Sequence, residues 1–423
     1  MTAGEDAHGG DSGSGADPGR GGGPGHGPRG AVPASLAGDP ITAAGGEGAG
    51  TRPESAGAAG RSPSRSVTGH GTEAVTGSAA ASDTRTATGP RAQSVTGRIA
   101  EPVTGPALRP TRGQWAEVPL RVTEFTDAAC PWAWGAEPAF RLLRQTLGAS
   151  ASWRRVFGIL FDEDDDPAPD PDAEARWYDG FIREVAAHTG APRARRLHWL
   201  ARTSWPASRA VRAAAAQGEE VASRVLRRLR ETTFVLGAPA DTPEGVREAV
   251  RGVPGLDVAR LVREMAGPAA DAAVRADHAE ARRPHPQVWG LTEPGPHPGG
   301  AKELADGRRY ALPTLLFEGP GGTVCVPGHR PLGAYLAAAG AAARVPVPDP
   351  VRLPSAVALE RWRTLTGPEL AVLTSGGQPS PDAVRLATGN GPLWLHPDEA
   401  RTHPATRKRS AAGESAGHAG LSQ

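Results

Sequence analysis

The residue best placed for chemistry in this sequence is Cys130, within Arg121-Val-Thr-Glu-Phe-Thr-Asp-Ala-Ala-Cys130-Pro-Trp-Ala-Trp-Gly135. Val122 to Phe125 reads as a buried strand. Pro131 suits the first turn of a helix, because its fixed φ matches a helix start and it lacks an N–H that would go unpaired there. A thiol at such a junction faces free backbone amides and the positive end of a helix dipole. Both stabilise a thiolate and lower the thiol from its free value of about 8.5. Disulfide attack is the chemistry this arrangement predicts, with Trp132 and Trp134 lining a groove beside the sulfur. The blander reading is a small buried hydrophobe with two core tryptophans. The second cysteine, Cys325, sits in the apolar run Thr323-Val-Cys-Val326 and reads as inert.

Other chemistries find little support. His188, His198, His278, His285, His329 and His396 are scattered and make no His-x-x-x-His or Cys-His ligand spacing, so no metal is expected. The acidic stretch Phe161 to Asp170 is broken by Pro167 and Pro169 and lacks EF-hand spacing; a solvated loop is the better reading. No glycine loop follows a strand to cradle phosphate, and no nucleophile-elbow serine is present.

The elements that must position Cys130 follow from periodicity. Leu120 to Phe125 reads as a strand, Ala136 to Leu147 as a helix and Ser152 to Leu160 as a parallel strand, which together make a βαβ unit. A helical stretch follows, with helices over Ala173 to Thr189, Pro206 to Gln217, Glu219 to Phe234, Thr242 to Val250 and Asp257 to Met265. Strands over Tyr310 to Phe317 and Thr323 to Val326 and a helix over Pro331 to Ala341 close the set. Beyond a Pro-rich linker, helices over Ala356 to Leu365, Pro368 to Thr374 and Pro381 to Thr388 precede a strand, Leu393 to His396, in a winged-helix-like order.

With these elements around it, Cys130-Pro131-Trp132-Ala133 resembles the active-site segment of the DsbA-like branch of the thioredoxin superfamily, which includes the frenolicin-type dithiol isomerases. The resemblance implies an α/β fold: a thioredoxin fold with an inserted helical domain, here followed by a small C-terminal winged-helix-like unit. The boundaries expected are a disordered low-complexity tail over 1–115, the βαβ half over 118–160, the helical insertion over 161–300 and the ββα half over 308–343. The small unit takes 355–400, and a second disordered tail takes 401–423. Leu312-Pro313-Thr314 resembles the superfamily's cis-proline loop, which places Leu312 and Pro313 with Pro131, Trp132 and Trp134 as substrate-binding residues. Glu124 matches a buried glutamate that exchanges protons with the cysteine pair; by strand alternation alone it could equally sit on a face that reaches solvent. Ala133 departs from the pattern, since family members that oxidise or reduce disulfides carry a second cysteine there.

The resemblance therefore implies a thiol-disulfide oxidoreductase or isomerase working through Cys130 alone. It would form mixed disulfides with a protein or small-molecule substrate and be released by an external low-molecular-weight thiol as co-substrate, with no bound cofactor. Chromene-carboxylate isomerases and kappa-class glutathione transferases replace the first cysteine by serine; its retention here favours mixed-disulfide chemistry. A different class of function is a non-catalytic peptide-binding or adaptor protein using the cleft beside Trp132 and Pro313. Composition fits either. The net charge is +1 and no dense basic block occurs, so no nucleic acid is expected as a partner. No apolar run reaches membrane-spanning length, and Met1-Thr-Ala-Gly-Glu-Asp lacks a basic start followed by an apolar core, so neither a membrane span nor a secretory leader is expected. With two cysteines making no disulfide framework, a cytoplasmic protein is predicted.

Overall fold

The computed structural model describes residues 119–407, apart from 165–167, 293–295, 298, 305–306 and 347–348. The tail expected over 1–115 lies outside the described residues, as do 408–423.

A four-stranded sheet of order β2-β1-β5-β6 carries the molecule. Strand β1 (Leu120–Thr126) pairs in parallel with β2 (Ala151–Phe157), Leu120 opposite Ala151. On its other side it pairs antiparallel with β5 (Thr314–Gly319), which in turn pairs with β6 (Gly322–Pro327). Leu120 and Val122 point to one face, into a core built with Phe140 and Leu143 of α1 (Pro131–Leu147) and with Tyr335 and Ala339 of α8 (Leu332–Ala343). Phe125 points to the other face, where it stacks on Tyr310 with ring centroids 3.9 Å apart. Each such side chain removed from water contributes about 1.5–3 kcal/mol, so the sheet is held from both sides.

Helix α1 begins at Pro131, five residues before the expected Ala136, because Cys130 serves as its N-cap and Pro131 occupies the first turn. Between β2 and the β5–β6 hairpin the chain forms α2 (Pro171–Thr189), α3 (Trp205–Ala215), α4 (Glu219–Phe234), α5 (Pro243–Ala249), α6 (Val258–Met265) and α7 (Pro268–Ala281). Trp205, Leu226, Leu229, Val246, Leu261 and Met265 form a core shared with Ala128, Phe157 and Ile159 at the ends of β1 and β2. Helix α7 lay beyond the expected helices; its Ala-rich sequence carries a weak apolar stripe, and Val274 and Ala281 are buried by packing. A hairpin of β3 (Ala301–Leu304) and β4 (Gly307–Tyr310) was likewise not anticipated. The strand expected over Tyr310 to Phe317 is broken: β4 ends at Tyr310 and β5 starts at Thr314, after a cis Leu312–Pro313 bond.

The C-terminal unit holds α9 (Ser355–Trp362), β7 (Thr364–Thr366), α10 (Gly367–Leu373), β8 (Val384–Ala387), β9 (Pro392–Leu395) and α11 (Pro397–Thr402). The helix expected over Pro381 to Thr388 is instead strand β8, because Leu386 pairs opposite Leu393 and both are buried. Among the described residues, no third helix precedes the β8–β9 hairpin, so the winged-helix order is not reproduced. Nor does disorder begin at Arg401: Thr402 closes α11, and His403 is fully buried against Glu231 of α4 at 3.1 Å. The unit is bonded into the rest. Arg227 grips Glu369 with two bonds of 3.0 and 2.9 Å, Arg141 donates to the Thr364 carbonyl at 2.9 Å, and Arg228 pairs with Glu399.

Candidate active site

Cys130 terminates the β1 loop with φ −78° and ψ 115°, an extended conformation that aims its side chain back over the first turn of α1. The Ala133 N–H donates to Sγ at 3.4 Å, and the Sγ–H donates to the Leu312 carbonyl at 3.5 Å. Cysteine, helix start and the cis Leu312–Pro313 loop therefore lie together. The thiol is not primed, however. Burial pushes it up to about 11, opposed by the Ala133 amide and reinforced by Asp127, while Arg230 and Arg309 pull it down. The expected lowering is overturned because Cys130 is 4 % exposed, and desolvation of an anion outweighs one long amide bond.

Asp127, which sequence reasoning passed over, organises the approach to the thiol. Its Oδ1 accepts from Ala129 N–H at 2.7 Å and from the Ser204 hydroxyl at 3.1 Å, and its Oδ2 accepts from Leu160 N–H at 2.9 Å. Burial raises its pKa, against the two amides, Ser204 and Arg230. Ile159, a β-branched residue at φ +47°, adopts a costly conformation just before the Leu160 amide that meets Asp127. Beside this carboxyl lies a cavity of about 10 Å³ lined by Thr203, Ser204 and Asp241, at the lower limit for one water. The available signal was an Asp closing a strand three residues before the cysteine, where its side chain can bond the backbone two residues on.

Glu124 does not meet the thiol. It lies on the α1 face of β1, buried, ion-paired to Arg144 at 2.7 Å, Arg155 at 3.4 Å and Arg230 at 3.6 Å. Burial alone would raise it; the three guanidinium groups win and hold it below the ordinary carboxylate value. A carboxylate clamped in this way is a poor proton exchanger, which corrects the role expected for it, and the solvent-reaching alternative is excluded by its burial.

The tryptophans divide. Trp134 is core: its Nε1–H donates to the Pro192 carbonyl at 2.8 Å, its ring stacks on Phe234, and Arg227 lies 4.4 Å over its face. It lines no groove. Trp132 stays beside the thiol, with ring centroids 6.2 Å from His188, 5.2 Å from His297 and 5.9 Å from His329. Pro131 is buried in the helix start. Behind Cys130, Tyr178 donates to the Ala129 carbonyl at 2.7 Å. Ala133 is fully buried and supplies no second thiol. Cys325 opposes Leu316, three residues past Pro313, and burial raises it to about 12; both cysteines are free. Among the described residues no group of three His, Cys, Asp or Glu side chains is arranged to hold a metal ion, and no helix is long and apolar enough to cross a membrane.

A thiol on a helix N-terminus, facing a cis-proline loop across a β2-β1-β5-β6 sheet, is a thioredoxin-like arrangement, and the family comparison agrees: residues 121–285 match the DSBA-like thioredoxin domain. This chain carries a DsbA-like thioredoxin domain. The match ends before Leu312; the cis-proline strand and its hairpin partner are supplied by the structure. The DsbA-like domain resembles solved structures at low identity. They include the cytosolic disulfide reductase DsbM from Pseudomonas aeruginosa, 18% identical, covering 52% of this chain and 93% of that one at a TM-score of 0.36. A 2-hydroxychromene-2-carboxylate isomerase is 16% identical, with coverages of 52% and 94% and a TM-score of 0.33. DsbA1 from Neisseria meningitidis is 11% identical, with coverages of 53% and 83% and a TM-score of 0.30. No curated protein matches the chain.

Proposed function

We propose that the chain is a thiol-disulfide oxidoreductase or isomerase working through Cys130 as a single thiol in a reducing cytoplasm. The observation that carries this reading is the bracketing of Sγ between the Ala133 amide and the Leu312 carbonyl, at the start of α1 and beside cis-Pro313. Cys130 as thiolate attacks a substrate disulfide RS–SR′, forming Cys130–S–S–R and releasing R′S⁻, which takes up the proton the thiol lost. A low-molecular-weight thiol then attacks the mixed disulfide, restores Cys130 and leaves with R as a new disulfide. Buried Ala133 at the second cysteine position of the motif, and a Cys325 that is not bonded to Cys130, support the need for that external thiol.

The test is incubation of the full chain with glutathione disulfide at pH 7 and pH 9.5, followed by mass spectrometry of the Cys130 peptide. A single adduct on Cys130, faster at pH 9.5 and cleared by added thiol, supports the reading; no adduct on folded protein at either pH overturns it. Burial of Cys130 and its raised pKa favour a second reading, a thiol-independent peptide-binding protein, in which Cys130→Ser leaves partner binding intact.

A further inference from the structure

His297 lies far from Cys130 in sequence and was singled out by no motif, yet it shares a hydrogen-bond acceptor with it. Its Nε2 is 3.0 Å from the Leu312 carbonyl oxygen, the same oxygen that the Cys130 Sγ–H contacts at 3.5 Å. A carbonyl only accepts, so Nε2 carries the proton and donates. The ring is 8 % exposed, stands edge-on to Trp132, and its backbone carbonyl is held by Arg330 at 2.7 Å. Gly328 makes the close approach possible: with φ +75°, an added Cβ there would come within 2.4 Å of His297 Nδ1.

We propose that His297 is a positioning residue for the Cys130 thiol, acting through the Leu312 carbonyl. When the thiol loses its proton to solvent, the sulfur becomes an anion beside the negative end of a C=O dipole. A second donor on that oxygen drains charge from it and relieves the repulsion, so the imidazole N–H eases ionisation of a thiol it does not touch. Burial, opposed by its bond to Leu312 and reinforced by Arg330 and Lys302, lowers His297 to about 4, so above pH 6 the ring acts as a neutral donor and not as a cation. The charged and titratable groups facing Cys130 itself are Asp127, Arg230, Arg309 and Tyr178, and substitutions at His297 leave them in place. This inference deepens the proposed thiol chemistry and rests on the same sulfur.

The test compares His297→Phe, which keeps ring volume without an N–H, with His297→Gln, which keeps a donor, in the full chain. The readout is the pH profile of Cys130 alkylation, followed by mass spectrometry of its peptide. His297→Phe is expected to move the profile up by about one pH unit, tenfold slower at a given pH below the midpoint, and His297→Gln to stay near the parent. Equal profiles for all three proteins, or equal shifts in both variants, overturn the proposal. Should His297→Phe fail to fold, Gly328→Ala displaces the unaltered ring. An upward shift there supports the role, and an unchanged profile overturns it. Alkylation reads ionisation whether or not Cys130 exchanges disulfides, so failure here is distinguishable from failure of the proposed function.

Discussion

The guarded state of Cys130 has a direct kinetic signature. An ordinary thiol at the reference value of 9.0 is about one-tenth ionised at pH 8, whereas one at about 11 is about one part in a thousand ionised. Only the thiolate alkylates, so Cys130 in the folded chain should react with iodoacetamide about 100-fold more slowly at pH 8 than in denaturant, before any steric shielding. The rate should then climb about tenfold per pH unit up to pH 10. Quenched alkylation with mass spectrometry of the Cys130 peptide measures this without interference from Cys325. The same shift couples to stability. Because the folded value lies above the unfolded one, the contribution is fully present below pH 9 and is lost as pH rises through 11, about 3 kcal/mol over that window. A folded-state midpoint below pH 9 would refute the reasoning. It would mean that helix-end stabilisation outweighs desolvation at this junction.

Two further outcomes concern the ionic network beneath α1. Glu137 is pushed up by burial but pulled to about 2 by Arg230, Arg141, Arg227 and Arg144, below its reference of 4.5. Its contribution is therefore present above pH 4.5 and lost as pH falls toward 2. About 3 kcal/mol of the acid sensitivity measured by urea unfolding should vanish in Glu137→Gln, and an unchanged pH dependence would exclude Glu137 as its source. Glu369→Ala strips Arg227 of its two-bond partner in a site where Arg227 is 4 % exposed and Glu369 is fully buried. A loss of about 3–5 kcal/mol is expected in the urea midpoint, and a change under 1 kcal/mol would show that Glu231 and Glu137 suffice for Arg227.

Local sequence determined the strand, the proline-started helix and the cysteine at their junction, because these depend on neighbours along the chain: apolar residues over Val122 to Phe125, a fixed φ at Pro131, an N-cap at Cys130. Periodicity also indicated a βαβ unit, a helical stretch and a closing pair of strands with a helix; Leu312-Pro313 as the facing loop came from the resemblance to the DsbA-like branch. Only the tertiary structure decided what the thiol experiences. Its protonation depends on burial and on Asp127, Arg230 and Arg309, which arrive from different elements. Glu124 belongs to arginines from α1, β2 and α4, so its distance from Cys130 along β1 said nothing of its partners. Leu386 became a strand residue because β9 lay beside it, and His403 became core because α4 offered Glu231. His297 joined Cys130 on one carbonyl through the approach of two segments 167 positions apart by their numbers, a relation that no local pattern encodes. Desolvation and ion pairing act through space, and in this protein they set the chemistry at the junction of β1 and α1.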